Sequence, residues 1–171
     1  MEPKATRIMN DLAVWLNNRA EHGEAEPLYR RALAIAEKSL GSEHPEVAGF
    51  LNNLARLLRD TNRLAEAEPL YRRALAIREK SLGPEHPDVV AGLNNLTVLL
   101  RATNRLAEAA PLYRQVLQIL AEFRHRTGHA HPHFRTAIDN YAGLISAMGL
   151  SQDEILARLR SAIEGEPEES A

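Results

Sequence analysis

Asp11, Asn53 and Asn95 follow one another at intervals of 42 residues, and Asn140 comes 45 residues after Asn95. Asn10, Asn52 and Asn94 directly precede the first three. A side-chain amide both donates and accepts, so a ladder of amides can clamp the backbone of an extended peptide whatever its sequence. Arg56, Arg59 and Arg101 stand close by in the chain, and a guanidinium grips a carboxylate at two points. These residue types predict recognition of an acidic peptide or of a C-terminal carboxylate. The alternative is that the asparagines bond neighbouring helices and only hold the fold together.

Other chemistries find less support. The chain has no cysteine, which removes disulfides, thiolate metal sites and a cysteine nucleophile. It contains no glycine-rich phosphate loop, no His-Glu-x-x-His pair and no serine in a nucleophile turn. We therefore expect no enzyme activity and no cofactor. His129, His131 and His133 alternate, with His125 nearby, and imidazoles suit zinc, copper or nickel. Alternation gathers rings on one side only in an extended segment, whereas Pro132 starts a helix there, so no metal site is assigned. Aromatic residues make up 5% of the chain and the net charge is −2, which argues against nucleic acid and anionic membranes.

The elements that must position these side chains are written as a repeat. Glu24–Arg63 and Glu66–Arg105 align with 31 of 40 pairs identical, and a fixed period of this length marks a solenoid. Tyr29, Tyr71 and Tyr113 recur at one period inside apolar helical patterns and are expected in the core. Helices are predicted over 4–20, 24–40, 45–60, 64–82, 87–102, from 106 onward, 134–148 and 151–163. Gly41 and Gly83 stop two of them, and Asn62 is suited to a left-handed turn. Pro27 is expected in a first helical turn, where its missing N–H costs little. His44 and His86 recur before proline and read as structural loop residues. His131-Pro132 arrives three residues late, which predicts a longer helix or a bulged loop before it. Ser151 to Glu154 is a capping box for the last helix.

Small residues such as Ala55, Ala67 and Ala74, set among Leu51, Leu54, Leu58 and Tyr71, resemble the tetratricopeptide repeat. The 42-residue length, the Asn-Asn-Leu-Ala run, Glu-Ala-Glu-Pro-Leu-Tyr-Arg-Arg-Ala-Leu and Leu-Gly-x-Glu-His-Pro are similar to its kinesin-light-chain type. The resemblance implies an all-α, right-handed α-α superhelical solenoid of helix pairs with a C-terminal capping helix. It also implies that first helices line a concave groove. That places Arg7, Asn10, Asp11, Val14 and Asn17 on the inner face, followed by Asn52, Asn53, Arg56 and Arg59. Asn94, Asn95, Val98 and Arg101 come next, then Asp139, Asn140 and Gly143. Chaperone-binding relatives carry lysine where Asn52 and Asn94 stand, which argues against a heat-shock co-chaperone.

We expect a single domain over 1–164, with units at 7–41, 45–83, 87–128 and 132–163, and a disordered acidic tail at 165–171. The expected function is a non-catalytic scaffold or adaptor holding a peptide or helix of a partner protein in its groove. A small-molecule or lipid carrier is one alternative. Self-assembly through Trp15 and Met9 on the uncovered first helix, giving a homo-oligomer, is another. A chain that opens directly in a repeat also fits a fragment of a longer regulator. The charged start lacks the apolar core of a signal peptide and no run is long enough to span a bilayer, so cytoplasmic location is the expectation.

Overall fold

Each 42-residue period is divided between two helices and two kinds of joint. The computed structural model describes residues 3–164; the tail 165–171, expected to be disordered, lies outside the described residues. In chain order the helices are α1 (Pro3–Asn18), α2 (His22–Leu40), α3 (Pro45–Asp60), α4 (Leu64–Leu82), α5 (Pro87–Ala102), α6 (Leu106–Thr127), α7 (Phe134–Ala147) and α8 (Gln152–Glu164). The described residues contain no strand.

The joint inside a pair is a left-handed turn. After α3, Asn62 takes φ 59°, its N–H reaches the Arg59 carbonyl at 2.9 Å, and the Arg63 N–H reaches Leu58 at 2.7 Å. This pairing satisfies carbonyls that the helix end leaves open. Asn104 repeats it at φ 56° after α5. The joint between pairs uses glycine at Gly41 and Gly83, with φ 93° and 84°, and then a histidine. Nδ1 of His44 accepts the Glu46 N–H at 3.2 Å and Nδ1 of His86 accepts that of Asp88 at 3.1 Å. The imidazole thus does what a serine or aspartate oxygen does at a helix start. His131 does the same for the His133 N–H at 3.2 Å. The late arrival of this third histidine is absorbed by α6, which runs for 22 residues where α2 and α4 run for 19.

Pro27 departs from expectation, and Pro69 and Pro111 repeat its placement. They lie inside α2, α4 and α6, past the first turn. The second helices begin right after the left-handed turns, five residues before each proline, so each proline forfeits a helical hydrogen bond and crowds a carbonyl one turn back. Burial of the apolar stripe that follows offsets this, as with Tyr29, Ala32 and Ala36 after Pro27.

Two compact units divide the chain between Gly92 and Leu93. In the first, α1 packs on α2, α2 on α3 and α3 on α4. Alanines at Ala25, Ala32, Ala36, Ala48, Ala55, Ala67 and Ala74 let the backbones approach, and Tyr29, Leu51, Leu54, Leu57, Leu58 and Tyr71 fill the space between them. Each such leucine contributes about 1.5–3 kcal/mol by burial. Charge ties the second helices together: Arg63 grips Glu66 through Nε at 2.7 Å and Nη2 at 2.8 Å while its Nη1 reaches Glu26 on α2 at 2.7 Å. Arg30 closes the network on Glu26 at 2.8 Å. Burial opposes ionisation of Glu26, but Arg63 and Arg30 outweigh it and hold its carboxyl below the usual range.

In the second unit α6, α7 and α8 pack on one another around Tyr113, Leu117, Phe134, Tyr141, Leu144 and Ala162. The capping box forms as expected. The Ser151 N–H donates to Glu154 Oε2 at 2.8 Å and the Glu154 N–H to Ser151 Oγ at 3.4 Å. The Ser151 hydroxyl, which donates to Glu154 Oε2 at 2.6 Å, and then the Ser151 N–H hold the Glu154 carboxyl below its ordinary value.

Candidate functional site

On α3, Asn52, Arg56 and Arg59 lie at successive helical turns, with Asn53 beside them, as the 3.6-residue period requires. All four are half-buried. The Nδ2 of Asn53 donates to the Oδ1 of Asn10 on α1 at 3.1 Å, and Asn10 donates in turn to Asp11 at 3.4 Å. The amides of α1 and α3 therefore meet. They do so at the edge of an open cavity of about 370 Å³ lined by Arg7, Asn10, Asp11, Glu46, Phe50 and Asn53. Arg7 closes one side of it through an ion pair with Glu46, its Nε 2.7 Å from the carboxylate. Sequence reading placed Arg7 on this face but missed Glu46, which follows Pro45 at the start of α3 and so faces back toward α1.

The arginines are held differently. Arg59 pairs with its own neighbour Asp60, at 2.8 and 3.1 Å. Arg56 turns inward: its Nε and Nη2 are buried without a hydrogen-bond partner, and so are the hydroxyls of Tyr29 and Tyr71. The Arg56 guanidinium is close enough to the Tyr29 hydroxyl to act on it as a donor and by its charge. Burial raises the Tyr29 pKa, and Arg56 offsets that only in part. Tyr71 is raised by burial as well, and Arg59 and Arg56 pull it the other way. The residue-type signal for this cluster was present in the repeat, because Val14 and Val98 occupy the positions of Arg56 one period away.

Asn17, expected on the open face, is 7% exposed. Its Oδ1 sits 3.0 Å from Nδ1 of His22 and braces the start of α2. Val14 is half-buried. In the second unit Asn94 and Asn95 on α5 and Asn140 on α7 are half-buried, while Val98, Arg101, Asp139 and Gly143 are exposed. His131 packs edge-on against Phe123 with ring centroids 5.2 Å apart, and near His133 at 5.4 Å. Among the described residues no group of three or more histidine or acidic side chains is placed to hold a metal ion.

The tetratricopeptide-repeat family model matches residues 5–80 and again 46–122, more than half the chain. The chain belongs to the tetratricopeptide-repeat family. Among solved structures, BtubC (BKLC) from P. vanneervenii is similar to this tetratricopeptide protein with a TM-score of 0.79 and 26% identity, over 100% of this chain and 70% of that one. A Podosopora anserina protein assigned as a kinesin light chain, with nearly identical TPR-like repeats, matches at TM-score 0.62 and 23% identity, over 94% and 96% of the two chains. A single-substitution form of it matches at 0.63 and 24%, over 95% and 96%. These last two show the fold alone. No match is found among curated proteins. The fold class is the all-α solenoid. Tetratricopeptide repeats generally mediate protein–protein interaction, and their fold is typically a non-catalytic scaffold. No described helix is long and apolar enough to cross a membrane.

Proposed function

We propose that this tetratricopeptide protein is an interaction adaptor that holds an extended segment of a partner protein on the face made by α1 and α3. The observation that carries the reading is the open cavity of about 370 Å³ that Asn10, Asp11 and Asn53 line; the Asn53–Asn10 bond also braces α3 against α1. Asn53 spends one N–H on Asn10, and an amide has a second N–H and a carbonyl oxygen with two lone pairs. A main-chain segment lying along α3 would exchange hydrogen bonds with Asn52 and Asn53. Asp11 makes the α1 side acidic, so an acidic group of the partner belongs toward Arg56 and Arg59. Asn94, Asn95, Arg101 and Asn140 hold the matching register in the second unit and are proposed as its binding residues. Affinity comes from many modest contacts on a preformed surface.

The test is an affinity capture from lysate of the source cell. It compares the wild type with an Asn10→Ala, Asn53→Ala variant whose helicity and unfolding midpoint have been checked. A protein retained by the first and lost by the second supports this reading and identifies the partner. Equal retention sinks it.

A second reading, self-association through α1, rests on Ile8, Leu12 and Trp15, which are 67%, 47% and 54% exposed. One period on, Phe50, Leu54 and Leu57 are 7%, 1% and 0% exposed, so α1 presents an apolar stripe at positions that α3 buries. The occupant proposed is a second copy of the chain. Sedimentation over a range of concentrations should show a dimer that Leu12→Ser with Trp15→Ser abolishes. A wild type monomeric throughout overturns it.

A further inference from the structure

Ile8, Leu12 and Trp15 hold the positions of Phe50, Leu54 and Leu57 one period earlier, yet they are exposed where the later three are sealed. Both helices have their own following partner, α2 beside α1 and α4 beside α3. What α3 has in addition is the pair before it, α2 foremost. Phe50 packs in one cluster with Ala32 and Ala36 of α2. The cover that this stripe takes inside the chain is therefore the far side of the second helix of a pair, and the stripe of α1 lacks it.

The fold offers such a side again at α8. Glu154, Arg160 and Ala162 take the third, ninth and eleventh places of α8, as Glu24, Arg30 and Ala32 do in α2. The eighth place shows the difference: Tyr29 is 0% exposed, whereas its counterpart Leu159 is half-buried. Leu156 is 54% exposed and Ile163 is half-buried. Leu156, Leu159 and Ile163 are spaced three and four residues apart, so they form one uncovered apolar stripe. Charge agrees with this match. Inside the chain Arg30 on α2 reaches Glu66, the third residue of α4, at 3.6 Å. The corresponding pair across two copies is Arg160 on α8 and Glu24 on α2, both exposed. Glu26, in the fifth place of α2, is held by Arg63. Glu21 stands one period before Arg63, and a glutamate in the fifth place of α8 would oppose it; that place is Leu156.

We propose that α1 of one copy docks on α8 of another, Ile8, Leu12 and Trp15 against Leu156, Leu159 and Ile163, with Arg160 paired to Glu24 across the joint. This rests on the self-association reading of α1 and adds to it the surface that the second copy brings. The contact is heterologous. A dimer made this way keeps one α1 stripe and one α8 stripe unused, so copies go on adding until a ring closes or the concentration limits them. Burial of the two apolar stripes drives the association. The ion pair at its exposed rim sets the register more than the strength.

The experiment uses two variants that each keep a single stripe, checked for wild-type helicity and urea midpoint. Leu12→Ser with Trp15→Ser removes the stripe of α1, and Leu156→Ser with Arg160→Glu removes that of α8; all four positions are exposed. In sedimentation over a range of concentrations, wild type should pass beyond a dimer, while each variant alone stays monomeric. Mixed in equal amounts, the two should form a dimer that grows no further, because between them they retain one stripe of each kind. Arg160→Glu alone should weaken association about threefold at low salt, and adding Glu24→Arg should restore it. A wild type that stops at a dimer, with the α8 variant dimerising equally well, would overturn the docking on α8 and leave self-association through α1 standing. A mixture that stays monomeric would overturn the head-to-tail contact as well. Failure of the underlying reading looks different: wild type would then be monomeric throughout.

Discussion

Ala20 and Asn62 adopt one backbone conformation, with φ 61° and 59°, at equivalent positions of successive helix pairs. Asparagine tolerates the left-handed region through its short polar side chain, whereas alanine meets the ordinary penalty of about 1–2 kcal/mol. Ala20 is exposed, so replacing it disturbs no packing. Ala20→Asn, which writes the later repeats' own solution into the first, should stabilise the protein by about 0.5–1 kcal/mol. Urea unfolding measures this directly, and a loss of stability would show that the first turn is held by something other than its backbone preference.

Arg63 joins Glu26 on α2 to Glu66 at the start of α4. The network depresses the pKa of Glu26 and of Glu66, through Arg63 foremost at Glu66. A depressed carboxylate contributes stability above its unfolded pKa and loses it as pH falls through the folded value. Arg63→Gln should therefore lower the melting midpoint at neutral pH and shrink the loss on acidification. Raising salt should harm the variant less than the wild type. Melting curves at two pH values and two salt concentrations decide this, and identical salt responses would mean that the ion pairs are idle.

His131 provides the pH dependence of opposite chemical origin. Burial, with the neighbouring His133 adding to it, sets its pKa below the ordinary histidine value. As pH falls, the unfolded chain takes up the proton first, so stability is full above the unfolded pKa and declines from there down to the folded one. Protonation of Nδ1 also ends its acceptance of the His133 N–H. His131→Asn keeps an acceptor at the start of the turn but no proton to gain. Its urea midpoint should fall less than that of the wild type between neutral and mildly acidic pH. Parallel curves for the two proteins would remove His131 from the acid response.

Much of this architecture is legible in the chain because a repeat states its rules several times. Asn62 and Asn104 mark left-handed turns, and Gly41 and Gly83 mark stops. Pro45 and Pro87 announce helix starts, while His44 and His86, read as loop residues, prove to cap those helices. Pro27 misled because a proline's preference for the first turn is weaker than the packing of Ala25 and Tyr29, which fixes where the helix begins. Asn53 could be read as a hydrogen-bonding amide. That its partner is Asn10, 43 residues away, depends on how closely α1 approaches α3, which no local pattern encodes. The inward turn of Arg56 was hidden for the same reason, since solvated and half-buried arginines are written with the same letter. Arg59 was more accessible to reading: its carboxylate partner is the next residue, and its counterpart Arg101 has Ala102 in that place.

Leu12 and Leu54 test the repeat against itself. They occupy one repeat position, yet Leu12 on α1 is 47% exposed and Leu54 on α3 is 1% exposed. The difference follows from what lies alongside: α3 is packed between α2 and α4, whereas the stripe of α1 that carries Leu12 also carries exposed Ile8 and Trp15. Truncating a buried leucine removes its transfer free energy and leaves a cavity, together about 2–5 kcal/mol. Leu54→Ala should fall in that range. Leu12→Ala should cost under about 1 kcal/mol, because only the half already withdrawn from water is lost. Measured at low protein concentration, the pair separates intrinsic repeat stability from any contribution of self-association. If the cost of Leu12→Ala grows toward that of Leu54→Ala as concentration rises, a second copy is covering α1; a cost independent of concentration leaves that face open.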